Sequence, residues 1–291
     1  MSFEERATRF LCHGDWLYGI LSLPKQLTSR GILIVVGGPQ YRVGSHRQFT
    51  LLARYHASHG VPVMRFDLRG MGDSEGKMRT FEEVEDDLRC AIDQFFEEVP
   101  SLKDLVIWGL CDAASAALFY AHQDQRITGL VLLNPWVRTD QGLAKAYLKH
   151  YYLSRFFEAD FWKKLWRGQL NIVATMQSLF KTISKILKKD KKSVLTLENE
   201  ERSEFSHPAS LPDRMLDGFK CFKGQSLLIT SGKDLTAQEF LDLVKKSKSW
   251  QNQLSNFRVK QFNLPDANHT FSRYEWRNQV AVWTRDWINS W

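Results

Sequence analysis

LVIWGLCDAASAAL, residues 105–118, is the stretch that decides how this chain is read. It begins as a continuous apolar run, turns through Gly109-Leu110-Cys111-Asp112-Ala113, and continues as a small, apolar, helix-forming segment. Extended to residue 122 it reaches the length of a membrane span. Asp112 near its centre and the break at Gly109 favour instead a buried strand, a turn and a buried helix. That is the strand–turn–helix setting of a nucleophile elbow, with Cys111 in the nucleophile's place. So sharp a turn leaves no room for a side chain at its flanks, which is why Gly109 and Ala113 are small. It would lift the Cys111 sulfur into the open, at a helix N-terminus whose dipole favours a thiolate. The competing reading is a buried structural cysteine.

Outward from this stretch the chain alternates strand and helix. Short apolar runs at 32–36, 61–66, 105–108, 130–133 and 226–230 are continuous rather than alternating, as parallel strands covered on both faces are. Helical segments lie between them at 48–58, 82–98 and 111–122. ATRFLC, the turn His13-Gly14-Asp15 and WLYGILSLP form an N-terminal hairpin, and residues 257–262 form the last strand. The sum is a mostly parallel, eight-stranded α/β sheet with helices on both faces. The alternation stops between 134 and 211, where tryptophans, lysines and a helical apolar spacing from Ile172 onward predict a helical cap insertion over 135–210. The core is then 1–134 with 211–291. Trp276, Val280, Trp283, Trp287 and Trp291 share one face of a C-terminal helix, a pattern of core packing rather than of a ligand box.

Composition narrows the class. With 43% hydrophobic and 25% charged residues among 291, the chain can build one large core and is not a disordered segment. Four cysteines (12, 90, 111, 221) stand singly, which argues against a disulfide framework or a zinc module. The eight histidines show no metal-ligand spacing, and no phosphate-binding glycine loop follows a strand, so neither a metal nor another cofactor is expected. MSFEERATRF lacks the apolar run of a signal peptide, which points to the cytoplasm.

A nucleophile needs a base and a group to orient it, and in this chain order the acid follows the elbow and the histidine comes last. Asp234 sits in the loop leaving the strand at 226–230, where the acid belongs. His269 lies in LPDANHTF before the final helix, where the base belongs. Asp266 competes with Asp234 as the acid, with Asp217 and His207 weaker choices. Of the oxyanion donors, one should be the N–H of Asp112. The other should come from Gly37-Gly38-Pro39-Gln40, and since Pro39 has no N–H it is Gly38 or Gln40, with Gln40 favoured. Tyr41, Arg42 and Trp136 are candidates for binding substrate. Arg42, His46 and Arg47 beside the oxyanion loop read either as contacts for an acidic substrate group or as solvated surface, the latter slightly favoured.

These residues resemble the α/β-hydrolase superfamily across nearly the whole chain. Residues 65–74, RFDLRGMGDS, are similar to a loop of its esterase and lipase-like members, a resemblance that makes Asp67 and Arg69 structural. GGPQYRVGSHRQF at 37–49, RFDLRGMGDSEG at 65–76 and GLCDAASAAL at 109–118 together resemble the exosortase A system-associated hydrolases of the first type. The resemblance implies a Cys111–His269–Asp234 triad in a cytoplasmic bacterial enzyme; the triad itself points to a small-molecule acyl substrate. Cysteine in place of the usual serine, and Ala113 in place of the usual second glycine, depart from the wider superfamily.

The expected chemistry is hydrolysis of an ester or thioester through an acyl-enzyme. Transfer to another acceptor by the same triad, or a non-catalytic binding protein keeping the fold, are the alternatives. The formal charge of +7 is concentrated: residues 141–192 hold twelve Lys and Arg against three acids, so the catalytic frame is close to neutral. That weakens a nucleic-acid reading and directs attention to an acidic acyl carrier protein or an anionic membrane surface facing the cap.

Overall fold

The continuous apolar runs become strands because both of their faces are covered. In a computed structural model of the chain, residues 2–38, 40–137 and 210–291 are described. The strands are β1 (Phe3–Cys12), β2 (Asp15–Pro24), β3 (Arg30–Val35), β4 (Val63–Phe66), β5 (Asp104–Leu110), β6 (Ile127–Leu133), β7 (Gln225–Ser231) and β8 (Val259–Leu264). They form one sheet in the order β1-β2-β4-β3-β5-β6-β7-β8. The β1–β2 hairpin and the β2–β4 pair are antiparallel, and the other neighbours are parallel.

The described helices are α1 (Gln48–Ser58), α2 (Glu85–Glu98), α3 (Asp112–Tyr120), α4 (Leu211–Cys221), α5 (Leu235–Lys246), α6 (Lys248–Leu254) and α7 (Tyr274–Ile288). Successive strand residues part to opposite faces. Leu33 and Val35 of β3 join the core built with α2 to α6, while Ile32 and Ile34 join the core built with α1 and α7. The tryptophan stripe of α7 packs in that second core. Trp287 is buried, and Trp283 stacks on Phe262 of β8 with ring centroids 4.3 Å apart. Among the described residues no helix is long and apolar enough to cross a membrane. The helical cap expected over 135–210 lies, apart from 135–137 and 210, outside the described residues.

Of the element boundaries that differ from the sequence expectation, two show their local cause. The last strand starts at Val259 rather than 257, because Asn256 turns the chain there: its side chain accepts the Arg258 N–H at 3.0 Å and its carbonyl the Val259 N–H at 2.9 Å. The helix expected from 82 starts at Glu85, after a turn closed by the Glu83 N–H on the Thr80 carbonyl.

The sheet order places the site. Chain order reverses at β3, which lies between β4 and β5, and the crevice beyond the carboxyl ends of strands at such a point is where α/β sheets bind ligands. The register sets Val35 of β3 beside Gly109 of β5, so the loop at Gly37 and Gly38 faces the turn at Cys111. The loop beneath is held by buried charge. Asp67, fully buried, accepts the N–H groups of Arg42 at 2.6 Å and Asp73 at 3.1 Å, and Arg69, 2% exposed, pairs with fully buried Asp87.

His56 on α1 is fully buried, and neither ring nitrogen has a hydrogen-bond partner among the described residues. Burial first, then the charges of His59 and Arg285, push its pKa down to about 3. The unfolded chain takes up a proton near pH 6.5 that the folded state refuses, so stability falls as pH drops below that value. Between pH 7 and pH 5 this group alone is expected to cost about 2 kcal/mol. Urea unfolding of wild type and His56→Leu at the two pH values measures it, and the variant should lose correspondingly less stability on acidification.

Candidate active site

The turn after β5 is built by steric necessity. Cys111 holds φ 65° and ψ −126°, a left-handed conformation that a non-glycine residue keeps only when its surroundings enforce it. Those surroundings are visible: the Cys111 N–H donates to the Leu133 carbonyl at 2.8 Å, and the Cys111 carbonyl accepts from Ala114 at 3.1 Å and Trp136 at 3.2 Å. A Cβ at Gly109 would stand 2.7 Å from the Ala113 carbonyl, so glycine is required there. Ala113 is buried and fits as the small residue on the other side. Cys111 itself is half-buried at the N-terminus of α3.

His269 Nδ1 lies 2.9 Å from Asp234 Oδ2. With the carboxylate accepting, Nδ1 is the donor, and in the neutral ring Nε2 then carries the lone pair a base needs. Asp234 is fixed in turn as the N-cap of α5, accepting the N–H groups of Thr236 at 3.2 Å and Ala237 at 3.1 Å. The loops that carry the two residues are stitched together by the Gly232 N–H on the Leu264 carbonyl and the Lys233 N–H on the Ala267 carbonyl. Of the competing acids, Asp266 is exposed and pairs with Lys233 at 2.9 Å, which holds its carboxyl below the usual range. Asp217 is exposed and pairs with Lys220 on α4. His207 lies outside the described residues.

Asn134, just past β6, was not singled out from the sequence. It is fully buried with φ 43°; its Nδ2 donates to the His269 carbonyl at 3.1 Å and to Ser231 Oγ at 2.9 Å, and its Oδ1 accepts the Ser231 N–H at 2.9 Å. It ties the histidine loop to the ends of β6 and β7. The one available signal was an amide residue directly after an apolar strand.

The oxyanion donors need a correction. The Gln40 N–H, favoured from the sequence, is spent on the Gly38 carbonyl at 2.8 Å, and the Gln40 side chain binds Ser45. The N–H that faces the elbow is that of Gly38, which donates to Asp112 Oδ2 at 2.8 Å. Asp112 Oδ1 accepts the Ala113 N–H at 3.0 Å. A Cβ at Gly37 would stand 2.1 Å from that same Oδ1 and 2.7 Å from the Leu110 carbonyl; the backbone carbonyl cannot give way, so glycine is required there. Burial pushes the Asp112 carboxyl up; the N–H groups of Gly38, Ala113 and Asp112 itself, and the charge of His269, work against the rise.

Arg42 also departs from the expectation that it meets substrate. Its guanidinium pairs with Asp67 and Asp73, so it braces the loop. Tyr41 is 47% exposed. Trp136 is half-buried against the elbow, its carbonyl accepting Ser115 Oγ at 2.7 Å. His46 and Arg47 are exposed. Among the described residues no group of three or more His, Cys, Asp or Glu side chains is placed to hold a metal ion.

Comparison with known proteins bears on this arrangement. Residues 28–219 match the family model described as Serine aminopeptidase, S33. Among solved structures, an esterase of Pyrococcus furiosus superposes with a TM-score of 0.66 at 15% identity, covering 99% of this chain and 92% of that one. A dienelactone hydrolase of Anabaena variabilis gives 0.59 at 15% identity, covering 99% and 98%. Over 90 residues the chain is 27% identical to the polyketide transferase grgF of a Penicillium species, a match spanning 30% of this chain and 31% of that relative.

Proposed function

Because the chain belongs to the serine aminopeptidase, S33, family of α/β-hydrolases, we propose that it hydrolyses an ester or thioester through Cys111, His269 and Asp234. The observation that carries this reading is that the Asp234–His269 pair and the left-handed cysteine turn are both anchored at the end of β6, the turn by the Cys111 N–H on the Leu133 carbonyl and the histidine loop by Asn134. In this mechanism His269 Nε2 takes the thiol proton and Cys111 attacks the acyl carbon. The tetrahedral intermediate's oxygen lies against the N–H groups of Gly38 and Asp112. His269 then protonates the leaving group, and afterwards draws a proton from water as the water attacks the acyl-enzyme; the acyl–Sγ bond breaks, the acid leaves and the proton returns to the Cys111 sulfur. Asp234 keeps the imidazole in one tautomer throughout. A thiolate attacks activated carbonyls well, which favours thioesters and activated esters over amides. In the same reading the enzyme is cytoplasmic and linked to an exosortase or exopolysaccharide system, and the basic stretch at 141–192 meets an acidic carrier protein or an anionic membrane surface.

Transfer of the acyl group to another acceptor is the second reading, favoured by the partial likeness to a polyketide transferase. One experiment separates the two. Brief exposure to p-nitrophenyl acetate or acetyl-CoA should add one acetyl group to the peptide carrying Cys111, read by mass spectrometry. Hydrolysis predicts that the adduct clears in buffer alone; transfer predicts that it persists until an alcohol or thiol is added. No adduct with either donor would overturn both.

A further inference from the structure

The pocket that should receive the substrate's oxygen already holds an anion belonging to the chain. Gly38 donates to Asp112 Oδ2 at 2.8 Å, Ala113 donates to Oδ1 at 3.0 Å, and the N–H of Asp112 itself also favours its carboxylate. Gly37 lies against the same turn: a Cβ there would stand 2.7 Å from the Leu110 carbonyl, and the Asp112 carboxylate fills the space beside it. Two N–H groups, one from the loop after β3 and one from the turn after β5, donate to this one carboxylate, and that of Gly38 is a donor a tetrahedral oxyanion requires.

We propose that Asp112 is an internal plug of the oxyanion hole: its carboxylate occupies the resting site through the Gly38 N–H and must swing out before an acyl carbonyl can be activated. This rests on the reading of Cys111 as the nucleophile, and it makes Asp112 a gate on that site. The plug mimics the charge and the hydrogen bonds of the intermediate, so expelling it forfeits charge-assisted bonds that the incoming oxygen then regains. The resting cysteine is thereby kept from casual carbonyl compounds. The cost falls on every acyl substrate alike, so removing the plug should speed them all.

Asp112→Ala tests this. Alanine suits the first turn of α3, leaves both donors in place and empties the hole. Its kcat/KM for p-nitrophenyl acetate is expected to rise about tenfold or more, the worth of one charge-assisted hydrogen bond. Sodium acetate should inhibit this variant competitively, by refilling the hole, and should leave wild type unaffected. Asp112→Asn, which keeps an acceptor without the charge, should fall between the two. An Asp112→Ala enzyme no faster than wild type would overturn the proposal. A protein without activity on any ester would sink the hydrolase reading instead, and the plug is then judged from the Gly38 amide proton resonance. That resonance should move upfield in Asp112→Ala and return on titration with acetate; a resonance that stays put overturns the proposal.

Discussion

Cys111→Ala is expected to lower kcat/KM for an activated ester or thioester by about 10^3-fold or more while leaving the thermal midpoint close to that of wild type. The magnitude follows from triad enzymes, in which loss of the nucleophile leaves only binding and oxyanion stabilisation. The fold should tolerate the change. Cys111 is half-buried, its backbone is held by Leu133, Ala114 and Trp136, and alanine bears the same left-handed conformation no worse than cysteine does. Steady-state kinetics beside a circular-dichroism melt reads both halves of the expectation. A variant keeping more than a tenth of the activity would place the nucleophile elsewhere.

The second large effect is expected at Asp234. Asp234→Asn should lower kcat/KM by about 10^3-fold with little change in stability. The two consequences separate because the residue does two jobs. Asparagine remains a good N-cap through its one oxygen, which keeps the Thr236 N–H, while the Ala237 N–H, which shares Oδ2 with His269, loses its acceptor, a cost below that of losing the whole cap. Toward His269 it offers an amide N–H, which turns the imidazole to the wrong tautomer and leaves a proton on Nε2. Asp234→Ala adds the loss of the cap, about 1 kcal/mol, to the same loss of activity. Asp266→Asn serves as the control: its ion pair with Lys233 is exposed on both sides, so activity should stay within about twofold. Equal losses at 234 and 266 would contradict the assignment of the acid.

The strands and most helices were legible because local chemistry determines them. Continuous apolar runs separated by helical spacing leave few alternatives to a parallel sheet covered on both sides, and the order β4-β3-β5 turns that sheet into a crevice. The elbow was legible for a steric reason: the small residues at 109 and 113 are small because backbone atoms meet there. The misplaced start of the last strand shows the limit. Phe257 has strong strand propensity but is 86% exposed, and hydrogen bonds to Asn256 turn the chain instead.

Among the site residues, sequence order and strand context put Asp234 and His269 after the elbow, with Asp266 as the competing acid. Whether Asp234 or Asp266 faces the imidazole depends on which one points inward and which one finds Lys233. Gln40 was the better oxyanion donor on paper, and it was lost to a local turn onto Gly38. Arg42 was a plausible substrate contact until Asp67 and Asp73 claimed it. Asn134, one residue past a strand, carried no mark of its bond to the histidine loop 135 residues away.

The sequence by itself determined the architecture, the place of the elbow and the identity of its central cysteine, because apolar periodicity and backbone crowding act between near neighbours in the chain. Only the tertiary structure showed Asp234 paired with His269 and Asp266 turned to Lys233, the Gly38 N–H facing the elbow, and the Asp112 carboxylate sitting on that N–H. Those outcomes are contests for hydrogen-bond partners between residues far apart in the chain, such as Gly38 with Asp112 and Asp234 with His269, and they are settled only when the fold brings the contestants within 3 Å.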